Sequence, residues 1–300
     1  MQKIIPCLWF DTHAEEAMNR LTATFNNSHI TTISRYPDVP LDIPVQNMAG
    51  KVLTGIFELD GYQLMCLDGG PAFKFTPAVS FFVNCDTAEE ADKIWATFSD
   101  GATELMPFQA YPFSEKFGWL SDKYGLSWQV NLGTRPQKIT PYLTFVGEQA
   151  GKAEEAMQFY TSLFENSGID HVMRYDGSNA DEKEGTIQQA LFRLNNQEFR
   201  AIDSSLSDHK FGFNEAISFY VECDTQDEVD HFWYKMSAVP EAEQCGWLKD
   251  KYGVSWQIVP KILGELMGDP DPEKSRRVMD VMLQMKRFDI EGLKRASLGE

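Results

Sequence analysis

The phrase GWLSDKYGLSWQ at residues 118–129 returns as GWLKDKYGVSWQ at 246–257, with ten of its twelve letters unchanged. A run this irregular and this rich in Trp is not low-complexity sequence, so its return requires a duplicated structural unit. The repetition extends far beyond the phrase. KIIPCLWF (3–10) matches KITPYLTF (138–145), AEEAM recurs at 14–18 and 153–157, and NSHI (27–30) answers NSGI (166–169). Arg35-Tyr36 answers Arg174-Tyr175, and VSFFVNCDT (79–87) answers ISFYVECDT (217–225). A chain of 300 residues favours two domains in any case. The expected division is 1–134 and 138–260, joined by the Gly- and Pro-bearing linker LGTRPQK, with a helical extension at 261–300.

Each half carries the same order of elements. An apolar strand (3–11 or 138–147) precedes a helix (13–26 or 152–164), a strand around the Arg-Tyr pair, and a hairpin at 51–68 or 186–203 turned by Asp60-Gly61 or Asn195-Asn196. The order then restarts with a strand (78–85 or 216–223), a helix (87–99 or 225–237) and further strands ending in the repeated phrase. Thr87 with Glu90, and Thr225 with Glu228, have the spacing of a capping box. The predicted class is α+β, with four βαβββ modules. Within the phrase, Asp122 and Asp250 open a tight turn that Gly125 and Gly253 close. Alternation sends Ser127 and Gln129 to one face of the last strand and Trp128 and Val130 to the other, with Ser255, Gln257, Trp256 and Ile258 as their counterparts. In the extension, Asp271-Pro272 signals a helix start, and Val278, Val281, Met282, Met285 and Phe288 continue one apolar face about four turns long. That face is expected to dock across the two domains, with a homodimer contact as the alternative.

A net charge of −18 opposes attachment to nucleic acid or to an anionic membrane surface. The opening MQKIIPCLWFDTHAEEA lacks the apolar core of a signal peptide, and the longest apolar stretch, around 78–83, is far shorter than a membrane span. A cytoplasmic protein is expected. Five cysteines, odd in number and without C-x-x-C spacing, imply packing rather than a disulfide framework or zinc ribbon. The five histidines occupy no matching positions in the two halves, so no duplicated His site is expected. No G-x-G occurs anywhere, which argues against a Rossmann-type turn for S-adenosylmethionine.

Paired βαβββ modules carrying P-x-L-x-F, AEEAM, F-x-N-S and GWLxDKYGxSWQ closely resemble the PhnB-like, "3-demethylubiquinone-9 3-methyltransferase-like" branch of the vicinal oxygen chelate superfamily. Glyoxalase I, extradiol dioxygenases and bleomycin-resistance proteins belong to the same superfamily. The resemblance covers 1–260 and continues through 269–290; the branch's Phe-Tyr in the first helix is kept at Phe159-Tyr160 but replaced by Arg20-Leu21. It implies two tandem glyoxalase/bleomycin-resistance-type domains, each closing its two modules into a cup, plus the C-terminal helical tail. Active members of the superfamily hold a divalent metal in the cup with His, Glu or Gln. Carried over residue by residue, those positions fall on Pro6 and Pro141, on Val79 and Ile217, and on Gln129 and Gln257, where catalytic members have Glu. Proline and aliphatic side chains cannot ligate, and a neutral amide is a weak donor. The expectation is no metal and no cofactor.

What remains is the cup as a pocket for a small apolar or aromatic molecule, or else as a filled core. Ile4, Pro6, Leu8 and Phe10, with Ile139, Pro141, Leu143 and Phe145, are expected to face it. Gln129 and Gln257 supply amides, and Arg35 and Arg174 either clamp an anion or sit in solvent. Asp68 and Asp203 are expected in turns. Phe108 and Tyr111, with Phe113 and Phe117, form a lid that together with the loop 37–47 makes the first half the expected binder. The second half then serves as the fused equivalent of a dimer partner. No catalytic constellation is legible. The expected function is metal-independent binding of a small molecule; the alternative is a metal-dependent lyase, isomerase or dioxygenase, and methyl transfer is not expected.

Overall fold

The computed structural model describes residues 2–36, 48–206 and 208–300, so the Pro-rich loop 37–47 lies outside the described residues. The chain forms two compact bodies, one of residues 6–217 and one of residues 3–5 with 218–300. The larger contains most of β1 (Ile4–Phe10), then α1 (Ala14–Thr24), β2 (His29–Arg35), β3 (Val52–Leu59) and β4 (Tyr62–Asp68). A second module follows: β5 (Val79–Cys85), α2 (Ala88–Ser99), β6 (Thr103–Tyr111), β7 (Ser114–Ser121) and β8 (Ser127–Leu132). The third is β9 (Ile139–Phe145), α3 (Ala153–Leu163), β10 (Gly168–Arg174), β11 (Ile187–Leu194) and β12 (Gln197–Asp203). The smaller body contains β13 (Ile217–Cys223), α4 (Gln226–Met236), β14 (Trp247–Lys249), β15 (Ser255–Pro260), α5 (Ile262–Met267), α6 (Pro272–Met282) and α7 (Ile290–Leu298). Its module has one strand fewer, because the short segment after α4 forms a single 3-10 turn at Pro240–Ala242 where the second module has β6.

The helices start in two different ways. Thr87 and Thr225 accept from the N–H of Glu90 and Glu228, as the capping-box spacing requires. At the starts of α1 and α3 the flanking residues His13 and Lys152 offer no side-chain cap. A buried aspartate from the last strand of the same module takes that role. Asp68 accepts from Ala14 N at 2.8 Å and Val52 N at 3.1 Å, and Asp203 from Gly151 N, Ala153 N and Ile187 N at 2.8–3.0 Å. The two aspartates expected in turns are therefore anchors that tie helix to sheet. Burial pushes both carboxyls up, and the N–H bonds pull them back.

The larger body contains one eight-stranded sheet in the order β10-β11-β12-β9-β5-β8-β7-β6 and the separate run β1-β4-β3-β2. The junction within the eight strands is β5 against β9, antiparallel, with Ser80 opposite Tyr142 and Phe82 opposite Thr140. Each half is expected from the sequence to close its own two modules; in the sheet, the second module of the first repeat pairs with the first module of the second repeat. The linker makes this reach. Lys138, buried, pairs with Glu90 at 2.6 Å and Asp86 at 3.4 Å, while its carbonyl accepts from Asn84 N.

The repeated phrase closes the hairpin β7–β8 and its counterpart β14–β15. Gly125 and Gly253 adopt φ of +86° and +88°, which only glycine takes cheaply. Asp122 Oδ1 accepts from Tyr124 N at 2.9 Å and Leu126 N at 3.0 Å, and its Oδ2 accepts from Trp128 Nε1 at 3.1 Å. Asp250 repeats this with Tyr252 N, Val254 N and Trp256 Nε1 at 2.9–3.0 Å. Burial raises the Asp122 pKa, opposed by these bonds. One carboxylate thus folds the turn and orients the indole that packs at 4.6 Å on Phe98 of α2 and at 5.3 Å on Phe81.

The tail differs from the single long helix read from the sequence. Asp271 caps α6 as expected, accepting from Glu273 N, but α6 ends at Met282. The carbonyls of Met285 and Lys286 accept from Cys245 N and Gly246 N at 2.8 and 2.7 Å, which takes that stretch out of helix. Phe288 is buried in the connection, and Gln226 of α4 bridges it by donating to Phe288 O and accepting from Ile290 N.

Removing the Asp122 carboxylate leaves three donors, two of them buried, without an acceptor. Asp122→Ala is expected to cost about 3 kcal/mol or more, and Asp122→Asn less, because it keeps one acceptor oxygen. Urea unfolding followed by Trp fluorescence checks this; equal costs for the two variants contradict it.

Candidate functional site

Strand parity decides which side chains line the site. On β5, Phe81 lies with Trp128 on the face covered by α2, and the register with β9 puts Pro141 beside Phe81 and Leu143 beside Val79. On β12, Asp203 binds the start of α3, and Phe145 is its partner in register. Leu143 and Phe145 therefore point to the helix side, not to the cup. The same holds in the first module, where Leu8 is paired with Cys66 and Cys66 with Gly55, whose added Cβ would lie 2.6 Å from Met18 of α1. Phe10, on Leu8's side, meets Phe75 and Tyr124. All seven residues of β5 and of β9 are buried, so alternation in the sequence does not distinguish their faces.

The other expected residues divide. Arg35 is held bidentately by Glu15 at 2.7 and 2.8 Å and Arg174 by Glu154 at 2.7 and 2.9 Å, each also donating to a loop carbonyl. They are exposed helix-to-strand clamps, not anion hooks in a cup. Phe108 stacks on Trp95 of α2 at 4.7 Å, over Gly118, where any Cβ would collide with both. It too belongs to the helix side. Tyr111 is on the opposite side with Phe117 at 5.8 Å. Gln129 is buried there, donating to Ser80 Oγ at 2.8 Å, and Gln257 repeats this with Ser218 at 2.9 Å in the smaller body.

The face of the eight-stranded sheet turned away from α2 and α3 is the candidate site. Phe82, Phe117 and Tyr142 form a buried cluster on it, extended by partly exposed Met106, Tyr111, Trp119 and Ile202. Phe82 stands 6.0 Å from Phe117 and 6.2 Å from Tyr142, in contact with side chains one and two strands away. Burial pushes the Tyr142 hydroxyl up to about 12, with Arg200 opposing, so it stays protonated at neutral pH. Trp119 Nε1 donates to Ser127 Oγ at 2.8 Å.

The residue that sequence reasoning misses is Arg200. Register places it beside Tyr142 on this face, and its guanidinium carbon sits 4.0 Å above the Phe82 ring. It is 6% exposed, and its Nε has no hydrogen-bond partner among the described residues. Desolvation depresses its pKa, aided by Arg135, while Tyr142 and Glu198 act the other way. A signal for it is present in the repeat. Arg200 pairs with Tyr142 as Met65 pairs with Cys7, so one copy has a cation where the other has a thioether.

The donor set does not suit a divalent metal. With Pro141 on the helix side, the groups facing the cup near Gln129 are Ser80, Tyr142 and Thr140, all neutral, and the Gln129 amide is already bonded. Among the described residues no group of three His, Cys, Asp or Glu could hold a metal ion. A surface cleft of about 520 Å³ elsewhere in the larger body is lined by His13, Glu16, Lys123 and Tyr124, but Lys123 and the Tyr124 hydroxyl are both spent on Glu16.

Repeated βαβββ modules, with helices on one sheet face and a second face left to side chains, give the chain a glyoxalase-type fold. The chain belongs to the 3-demethylubiquinone-9 3-methyltransferase family, whose model matches residues 2–131 and again 137–259. A PhnB protein from Bacillus cereus is 45% identical over 44% of this chain and 100% of its own, with a TM-score of 0.40. Glyoxalase I from Zea mays has the same fold at 8% identity, covering 84% of this chain and 89% of its own with a TM-score of 0.51. A mutant fosfomycin resistance protein, FosX, from Listeria monocytogenes is 11% identical over 43% of this chain and 89% of its own, with a TM-score of 0.30. No curated protein matches the chain. No helix among the described residues is long and apolar enough to cross a membrane.

A desolvated cation is costly where an apolar side chain of similar volume would fit. Arg200→Met, which installs the residue of the other copy, is expected to stabilise the chain by about 1–2 kcal/mol. Denaturant titration measures it, and a loss of more than about 1 kcal/mol contradicts it.

Proposed function

We propose that this chain binds a small, largely aromatic molecule on the helix-free face of its eight-stranded sheet, without a divalent metal. The observation that carries the reading is the aromatic cluster itself. Phe82, Phe117 and Tyr142 give a dry floor, and the partly exposed Tyr111, Trp119 and Met106 give walls that a ligand can still reach. Few, placed polar groups on apolar walls are what small-molecule pockets are made of. The site is assembled from both repeats, since Phe82, Phe117 and Gln129 come from the first and Tyr142 and Ile202 from the second. The family label describes descent in this reading, not methyl transfer, because the chain has no glycine-rich strand-to-helix turn for a nucleotide cofactor.

Calorimetric titration with 2-naphthol tests the reading. Saturable binding is expected, weakened about five-fold or more by Tyr111→Ala, which removes a partly exposed wall, and elemental analysis of protein purified without chelator is expected to show no stoichiometric metal. Absence of saturable binding, indifference to Tyr111→Ala, or one equivalent of Zn, Ni, Fe or Mn overturns it.

A further inference from the structure

Seven buried side-chain polar atoms lack a hydrogen-bond partner among the described residues, and three of them, Thr140 Oγ1, Glu198 Oε2 and Arg200 Nε, lie on adjoining positions of β9 and β12. The large majority of buried side-chain polar atoms have a partner, so three orphans in one patch point to a place where a partner belongs. The patch is on the aromatic face: Thr140 is opposite Phe82 in the β5–β9 ladder, and Arg200 is stacked over that ring.

We infer that this face takes the carboxylate of a planar aromatic monoacid, with Arg200 as its binding cation and Phe82, Phe117 and Tyr142 beside its ring. The inference rests on the pocket proposed above and adds the charge and class of its ligand. The guanidinium stands 4.0 Å from the Phe82 ring centroid with its Nε unpaired, and a guanidinium pairs bidentately with a two-oxygen acceptor, which favours a carboxylate. Thr140 supplies a hydroxyl donor within the same patch. The charge balance sets the limit of one negative charge. Glu198 shares the strand and the face two residues away, and Arg135, close enough to act on Arg200, lies 4.0 Å from Glu198, so those two charges offset and Arg200 is the net cation. A dianion such as a phosphate would leave one negative charge uncompensated. The site is single, because the equivalent strand position in the first repeat is Met65.

The test is calorimetric titration of the full chain with 2-naphthoate and with 2-naphthol, a neutral molecule with the same ring system, for the wild type and Arg200→Met. The wild type is expected to bind 2-naphthoate at least ten-fold more tightly than 2-naphthol, and Arg200→Met to lose that preference, so that the two molecules bind the variant within about two-fold of each other. Circular dichroism and a thermal midpoint at or above that of the wild type show that the variant is folded. Arg200→Lys, which keeps the charge but not the fork, is expected to retain only part of the preference. If 2-naphthol binds and 2-naphthoate binds no better, or if Arg200→Met leaves the preference intact, the ligand class is wrong and the pocket stands. If neither molecule binds, the pocket reading fails and this inference with it.

Discussion

The antiparallel pairing of β5 with β9 is the interaction on which the rest of this structure depends. It joins strands from different copies of the repeat, and it is made possible by the connection 133–138, whose last residue, Lys138, is pinned to Glu90 and Asp86 beside the start of α2. Without it there is no continuous eight-stranded sheet, and Phe82 and Arg200 are not neighbours. The duplication therefore yields more than two copies of one unit. It supplies two modules that differ in sequence and meet edge to edge, so that a site can combine aromatic residues from one copy with a cation from the other.

The repeated phrase has a structural explanation that accounts for most of its letters. A buried aspartate satisfies two turn amides and one indole N–H, the glycine allows the left-handed turn, and the Trp carries the hairpin onto α2. Each of these needs a specific residue type, which is why the phrase survives in both copies at near identity. Two letters look into the site, Trp119 against the aromatic cluster and the final Gln, which bonds there to Ser80. Asp68 and Asp203 perform a comparable task at the other end of the module, replacing the helix caps that His13 and Lys152 do not provide. The duplicated aspartates, Asp68 with Asp203 and Asp122 with Asp250, are fold devices in this chain.

Much of this is legible in the sequence, because duplication exposes what both copies need. The strands, the Thr-capped helices, the closing hairpins and the sides taken by Gln129 and Trp128 all follow from local rules. The pairing between modules does not, since it depends on contacts between strands distant in sequence. Nor does the facing of β9, whose ITPYLTF is buried on both sides and hides its parity. Leu8, Leu143 and Phe145 fall on the side opposite to the expected one for that reason. Arg35 and Arg174 are the conspicuous arginines because they recur, and recurrence here marks a shared structural clamp. Arg200 escapes notice because Arg in a strand is ordinarily exposed. Comparing QEFRAID with YQLMCLD singles it out as a difference between copies.

Phe82 and Arg200, one in each repeat, are stacked across the β5–β9 junction, both buried. A double-mutant cycle with Phe82→Leu, Arg200→Met and the double variant, read by denaturant unfolding, measures their coupling directly. A favourable coupling of about 1 kcal/mol is predicted, as for a guanidinium stacked on an aromatic ring out of water. Additivity within about 0.3 kcal/mol would place the two residues apart and contradict both the junction and the site built on it.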